Sequence, residues 1–184
     1  MEAILNSFLL VAAAEMGDKT QLLAFILASR FGKPWVIFSG IFVATIFNHL
    51  LASAVGTWVS HVIPGNYIKW ILASIFIVFA AWILLPDKEE GPESGSLFGA
   101  FMTTVITFFL AEMGDKTQLA TVALAAKYQN VVLVTIGTTL GMLFSDGLAV
   151  FIGDKLIKKV SMRTVRIIAS ALFVIFGIAI LIGY

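Results

Sequence analysis

Glu15-Met16-Gly17-Asp18-Lys19-Thr20-Gln21-Leu22 recurs without change as Glu112-Met113-Gly114-Asp115-Lys116-Thr117-Gln118-Leu119, at an offset of 97 residues. Both copies are polar, and both lie inside long apolar sequence. Holding that offset without gaps aligns Gly40 with Gly137, Phe47 with Phe144, Gly56 with Gly153 and Phe79 with Phe176. A polar match of this length in apolar surroundings is not a chance event, so the chain reads as a duplication.

The sequence around the two copies sets the class. With 60% hydrophobic and 12% charged residues and a mean hydropathy of +1.01, the chain is far more apolar than a soluble domain, in which about a quarter of residues are charged. Its 184 residues leave room for several spanning helices of about 20 apolar residues each. Six apolar stretches are present, approximately Ala3 to Ser29, Trp35 to Val59, Ile68 to Leu85, Leu97 to Ala126, Val131 to Ile152 and Val165 to Ile182, each bounded by Gly, Pro or charge. Residues 86–96, reading PDKEEGPESGS, have the composition of a linker. The expected fold is therefore an all-α integral membrane protein with repeat one over 1–85, an acidic linker over 86–96 and repeat two over 97–184. Three spans per repeat is an odd number, so the second repeat enters the bilayer upside down, giving six transmembrane helices as two inverted-topology repeats.

Other function classes are excluded or weakened. A net charge of +1 implies no nucleic-acid partner, and the absence of Cys removes disulfides, thiolate metal sites and cysteine catalysis. There is no HExxH pair, no GxSxG and no nucleophile set, so an enzyme is not expected. The apolar run from Ile4 to Ala14 lacks a basic leader and is followed by more apolar sequence, so it reads as a retained first span rather than a signal peptide. Apart from Lys19 and Lys116, one side of the predicted topology carries Arg30, Lys33, Lys88, Lys155, Lys158, Lys159, Arg163 and Arg166, and the other only Lys69 and Lys127. This asymmetry places the first side in the cytoplasm and both termini outside. Asp87, Glu89, Glu90 and Glu93 then form a solvated cytoplasmic linker, and His61 sits near an interface.

Glu15 and Glu112 lie about a dozen and about fifteen residues into their spans, which at a rise of 1.5 Å per residue puts both near the bilayer centre. Each ionised residue there costs about 2.5 to 3.5 kcal/mol, so Glu, Asp and Lys together cost each segment roughly 8 to 10 kcal/mol. Glu15 and Asp18 are three residues apart, as are Glu112 and Asp115, which predicts one helical face for each pair. Gln21 and Gln118 extend that face, Thr20 and Thr117 add hydroxyls, and Gly17 and Gly114 permit a kink. Four carboxylates with amide and hydroxyl oxygens make an all-oxygen cage suited to hard divalent cations such as Mn²⁺, Ca²⁺ or Mg²⁺. Set against Lys19 and Lys116, the four leave two negative charges, which one divalent cation would neutralise. Once that cation departs the carboxylates repel one another, and protons can take its place. The bland alternative is an ion-pair network, Glu15 with Lys19 and Glu112 with Lys116 at i,i+4, that ties the repeats together. For the two lysines, partnering the carboxylates and gating the site are equally open, while Met16 and Met113 read as packing.

The second span of each repeat carries small residues every fourth position, Gly40, Ala44 and Asn48 in one and Gly137, Gly141 and Ser145 in the other. Such stripes let membrane helices approach closely, so these spans are expected to pack on the motif helices. Asn48 and Ser145 would then either line the site or bond between helices. Asp146 lies deep in the fifth span at the repeat position of His49, where it is either a proton relay facing His49 or the cage, or a structural residue.

The doubled E-x-G-D-K-T motif, one copy in the first span of each half, resembles the signature of the cation/proton exchanger family that includes bacterial manganese exporters and the Golgi manganese and calcium transporters. The resemblance covers essentially the whole chain. It implies six helices in inverted repeats and Mn²⁺ or Ca²⁺ transport in exchange for protons by alternating access. The metal is then cargo, with no resident cofactor. The family's binding positions fall on Glu15, Asp18, Glu112 and Asp115, and less firmly on Thr20, Thr117, Gln21 and Gln118. Similarity to the bacterial branch implies export of Mn²⁺ through the inner (plasma) membrane. A cation channel with the same carboxylates as a selectivity ring is the alternative.

Overall fold

The computed structural model describes residues 1–85, 99–156 and 162–182, and among them all regular structure is helical. The acidic linker over 86–96 lies outside the described residues. The order is α1 (Glu2–Glu15), α2 (Lys19–Phe31), α3 (Pro34–Val62), α4 (Gly65–Ile83), α5 (Ala100–Glu112), α6 (Lys116–Tyr128), α7 (Val131–Leu156) and α8 (Met162–Ile182). Three of these, α3, α7 over 131–153 and α8 over 163–182, are long and apolar enough to cross a bilayer. Apolar sequence in α4 over 67–83 and in α5 is shorter.

The expectation of single helices over Ala3 to Ser29 and Leu97 to Ala126 is corrected. Each is broken at the motif into two half-helices, α1 with α2 and α5 with α6. The cause is local. Gly17 and Gly114 adopt φ of 80° and 77°, a left-handed conformation that costs other residues roughly 1–2 kcal/mol and cannot continue a right-handed helix. Beside them Met16 (ψ 112°) and Asp18 (ψ 170°) are extended, as are Met113 (ψ 117°) and Asp115 (ψ 165°). At 14 and 13 residues, α1 and α2 each reach about 20 Å, so neither alone crosses a hydrocarbon layer about 30 Å thick.

Glycine stripes seat α3 and α7 on the half-helices of the opposite half of the chain. A Cβ on Gly137 would lie 2.5 Å from the Ile4 carbonyl oxygen, and one on Gly141 would lie 2.7 Å from that of Phe8. Gly40 likewise abuts Thr104 and Phe101 of α5, and Gly56 abuts Val122 of α6. The expected packing on the motif helices is thus present, and it is between the halves. α3 and α7 also meet each other: Thr45 Oγ1 lies 3.0 Å from Met142 Sδ, and Thr135 Oγ1 lies 3.5 Å from the His49 carbonyl. Rising numbers on α3 meet falling numbers on α7, so the two run antiparallel.

Two apolar clusters flank this centre. One gathers Phe76 and Phe79 of α4 with Phe173 and Phe176 of α8 and Leu124 of α6. The other joins Leu23 and Leu27 of α2 to Ile37 and Ile41 of α3, Phe108 of α5 and Val150 of α7. Outward faces remain apolar: Trp58, Val55, Val78, Ile175 and Ile182 are exposed, an arrangement that suits lipid and would be a liability in water.

Candidate functional site

The breaks place the polar motif residues at helix ends. Glu15 and Glu112 close α1 and α5; Asp18 and Asp115 are the N-caps of α2 and α6; Lys19, Thr20 and Gln21, like Lys116, Thr117 and Gln118, form the first turns that follow. Glu15 with Asp18, and Glu112 with Asp115, therefore do not share one face of a continuous helix, which corrects the expected geometry. Instead each carboxylate pair flanks a gap in the helix. Four half-helix ends meet there, two of them C-terminal ends with partial negative charge, whose last carbonyls, those of Glu15 and Glu112, accept from the Asp18 and Asp115 N–H groups at 3.0 and 3.2 Å.

Local bonds hold the breaks open. The Gly17 N–H donates to Gln21 Oε1 at 2.9 Å, and the Gly114 N–H to Gln118 Oε1 at 2.7 Å. In both cases a side chain in the first turn satisfies a donor just before the helix, in the manner of a capping box. Asp115 Oδ1 accepts from the Lys116 N–H at 2.6 Å. Thr20 Oγ1 donates to Glu15 Oε2 at 2.7 Å, and Thr117 Oγ1 to Glu112 Oε2 at 3.2 Å.

Contacts between the two copies bring the motifs together. Lys19 Nζ lies 3.0 Å from Asp115 Oδ2, and Lys116 Nζ lies 3.3 Å from Asp18 Oδ1. The i,i+4 pairs anticipated within each copy are replaced by pairs between copies. A helix break explains this, because Lys19 leaves the site on a new axis that no longer passes over Glu15. Thr117 also lies against the Glu15 carboxyl, so one hydroxyl adjoins the glutamates of both copies. The Glu112 carboxyl is within electrostatic reach of Glu15, Asp18, Asp115 and Asp146. The four carboxyls are out of solvent: Glu15 and Glu112 are at most 1% exposed and the two aspartates at most 7%.

Among the described residues, no group of three or more His, Asp or Glu side chains is drawn together as a ready set of metal ligands. The aspartates are held by lysines, while Glu15 Oε1 and Glu112 Oε1 are buried without a hydrogen-bond partner. Oxygen donors suited to a hard cation are therefore present, half of them occupied by ammonium groups.

α3 and α7 complete the walls. Gln21 Nε2 donates to the Ser145 carbonyl at 2.9 Å and lies 3.3 Å from its hydroxyl, and Asn48 Nδ2 donates to the Phe109 carbonyl at 3.1 Å. Asn48 and Ser145 thus join helices of opposite halves close to the motifs. Asp146 has Glu15 as its electrostatic neighbour, so it faces the motif residues. His49 is buried with neither ring nitrogen bonded. Sequence reasoning missed the crossed lysines and the broken helices. The signal for the break was a glycine set among polar residues at the same place in both halves.

Comparisons with known proteins show the family. The family model described as "Divalent cation/proton antiporter GDT1" matches residues 3–91 and 100–184. A Vibrio cholerae protein named "Putative manganese exporter" is 43% identical over 180 residues, covering 97% of this chain and 90% of its own length. A GDT1-like protein of Arabidopsis thaliana is 31% identical over 205 residues, covering 97% of this chain and 70% of its own. One from Synechocystis is 29% identical over 203 residues, covering 97% and 96%. No solved structure matches the chain. With the doubled motif spanning both matched segments, the chain belongs to the GDT1 family of divalent cation/proton antiporters.

Proposed function

We propose that this protein is a multi-pass exporter of the inner (plasma) membrane that exchanges a divalent cation, Mn²⁺ before Ca²⁺, for protons by alternating access. The observation that carries the reading is the meeting of two identical motifs at two broken helices, with the lysine of each on the aspartate of the other. The cation is cargo held by Glu15, Asp18, Glu112 and Asp115, with oxygens of Thr20, Thr117, Gln21 and Gln118 available to it. No resident cofactor is required. Lys19 and Lys116 keep the aspartates neutralised while the cation is away, and protons replace it on the remaining carboxyls. Preference for Mn²⁺ rests on the relative named as a manganese exporter; the all-oxygen donor set suits hard divalent cations as a class.

The transport cycle follows from inverted repeats over 1–85 and 97–184, joined by a cytoplasmic segment over 86–96, with both termini outside. Contacts between equivalent residues support that symmetry. Thr45 and Met142 differ by the repeat offset and touch, and so do Phe76 and Phe173, with ring centroids 5.9 Å apart. A two-fold axis brings equivalent residues together only where it passes between them. Two such points, one on α3 and α7 and one on α4 and α8, define an axis about which the halves can rock around a shared ion. Broken helices put carbonyl ends and carboxylates at that ion without exposing backbone to lipid.

Purified protein in liposomes tests the reading. An outward-directed pH difference should drive Mn²⁺ to accumulate against its own gradient, with proton movement in the opposite sense, and Ca²⁺ and Mg²⁺ should be compared under the same gradient. A channel would only let Mn²⁺ equilibrate, so passive equilibration without accumulation would overturn the exchanger.

A further inference from the structure

Asp146 is wholly buried in the middle of α7, and among the described residues neither of its carboxyl oxygens has a hydrogen-bond partner. That is unusual, because a buried carboxyl normally retains a donor or a counter-charge. Its surroundings are defined by its helix. Ser145, next to it, is bonded to Gln21 of the first motif, and Gly141, one turn earlier, is pressed against Phe8 and Ala12 of α1. α1 and α7 thus run side by side up to the end of α1, where Glu15 sits. The Asp146 carboxyl is within electrostatic reach of Glu15 and of Glu112.

Counting oxygens by what already holds them separates the acidic groups of the site. Asp18 and Asp115 each hold a lysine. Among the described residues of the site, the carboxyls that hold no lysine and have an oxygen without a hydrogen-bond partner are Glu15 and Glu112, with one such oxygen each, and Asp146, with both. With the lysines in place, these three carboxyls are the ones left for a cation. Only one repeat supplies such a group, since the position equivalent to Asp146 is His49, which also lacks a bonded nitrogen.

We propose that Asp146 is a further cation-binding residue, completing with Glu15 and Glu112 a three-carboxylate subsite for the divalent ion while lysines hold Asp18 and Asp115. The three groups are not in ligating contact as they stand, and a divalent ion would draw them in. The subsite is asymmetric, built from an acid in one half and lacking one in the other. The ion is therefore held differently on the two sides of the axis, although the motifs are identical. This rests on the cation-exchange reading above.

Equilibrium titration of the purified protein with MnCl₂, followed by calorimetry and by the Mn²⁺-induced rise in Tm, separates the two ideas. Wild type should bind Mn²⁺ and Glu15→Gln should lose binding; if wild type binds none, the transport reading itself fails. Asp146→Asn should weaken Mn²⁺ binding by about tenfold or more and shrink the Mn²⁺-induced rise in Tm. It removes no hydrogen bond, so it should fold, and without metal its Tm should equal or exceed that of wild type. Asp146→Glu, which restores a carboxylate, should bind close to wild type and serves if the amide variant is unstable. Wild-type Mn²⁺ affinity in Asp146→Asn overturns the proposal and leaves the transport reading intact, as does an affinity in Asp146→Glu as poor as in Glu15→Gln.

Discussion

The two motif copies have the same eight residues and different surroundings. Lys116 is 4% exposed against Asp18, whereas Lys19 is 30% exposed against Asp115. Gln21 is buried and bonded to Ser145, whereas Gln118 is half-buried, and Met113 is 58% exposed where Met16 is half-buried. Identical sequence cannot be the source of these differences. The walls differ too: the first copy has Ser145 of α7 bonded to Gln21 and Asp146 near Glu15, and the second has Asn48 of α3 bonded to the Phe109 carbonyl, three residues before Glu112. Two identical motifs thus sit in two different settings, and the less similar second helices, α3 and α7, are part of that difference.

Removing the glutamates should produce the largest effect and should be nearly blind to the difference between copies. Glu15→Gln and Glu112→Gln each keep shape and remove a central carboxylate. Both should lower metal-driven proton flux in proteoliposomes by about a hundredfold or more. Retained flux in either variant would mean that the copies do not act on one ion.

Lysine removal should reveal the difference. Lys116→Met leaves Asp18 buried without its cation, a loss of about 3–5 kcal/mol when one partner of a buried pair is deleted. Lys19→Met removes a partly exposed partner, and solvent screening brings the expected loss to about 1 kcal/mol or less. Chemical denaturation in detergent should rank the two in that order. Equal losses would show that the contrast in exposure does not matter energetically.

Much of this was legible in the sequence. Duplication, the apolar class and the identity of the buried carboxylates follow from the repeated octapeptide and from composition. So did the close packing of the α3 and α7 stripes, because small residues every fourth position have one physical use in lipid. Helix continuity through the motif was misread, since Glu15 and Asp18 fit a helical face as well as they fit a break. Only the φ of Gly17 and Gly114 decides between the two. The crossed lysines were illegible for a further reason: an i,i+4 partner is visible in sequence, whereas a partner 96 or 98 positions away is chosen by how two halves dock.

The glycines of the two stripes sharpen the same comparison. A Cβ on Gly137 would meet the Ile4 backbone at 2.5 Å, while one on Gly40 would meet chiefly the Thr104 side chain, at 2.8 Å. Neither the Ile4 carbonyl nor the Thr104 Cβ can swing aside, so the closer approach sets the larger cost. Gly137→Ala should therefore cost about 1–3 kcal/mol by overpacking, and Gly40→Ala should cost less. Thermal unfolding of the two variants side by side should give the lower Tm to Gly137→Ala.

The smallest effect is expected at Ser145. Gln21 bonds its carbonyl at 2.9 Å and only approaches its hydroxyl at 3.3 Å, so Ser145→Ala keeps the stronger contact and the position of Gln21. The lost bond is worth about 0.5–1.5 kcal/mol at most. Asn48→Ala, its equivalent in the other half, instead leaves the Phe109 carbonyl without the amide that bonds it at 3.1 Å, just before Glu112. Transport assays should find Ser145→Ala close to wild type and Asn48→Ala impaired. The reverse order would mean that the first copy, and not the second, depends on its wall for the placement of its glutamate.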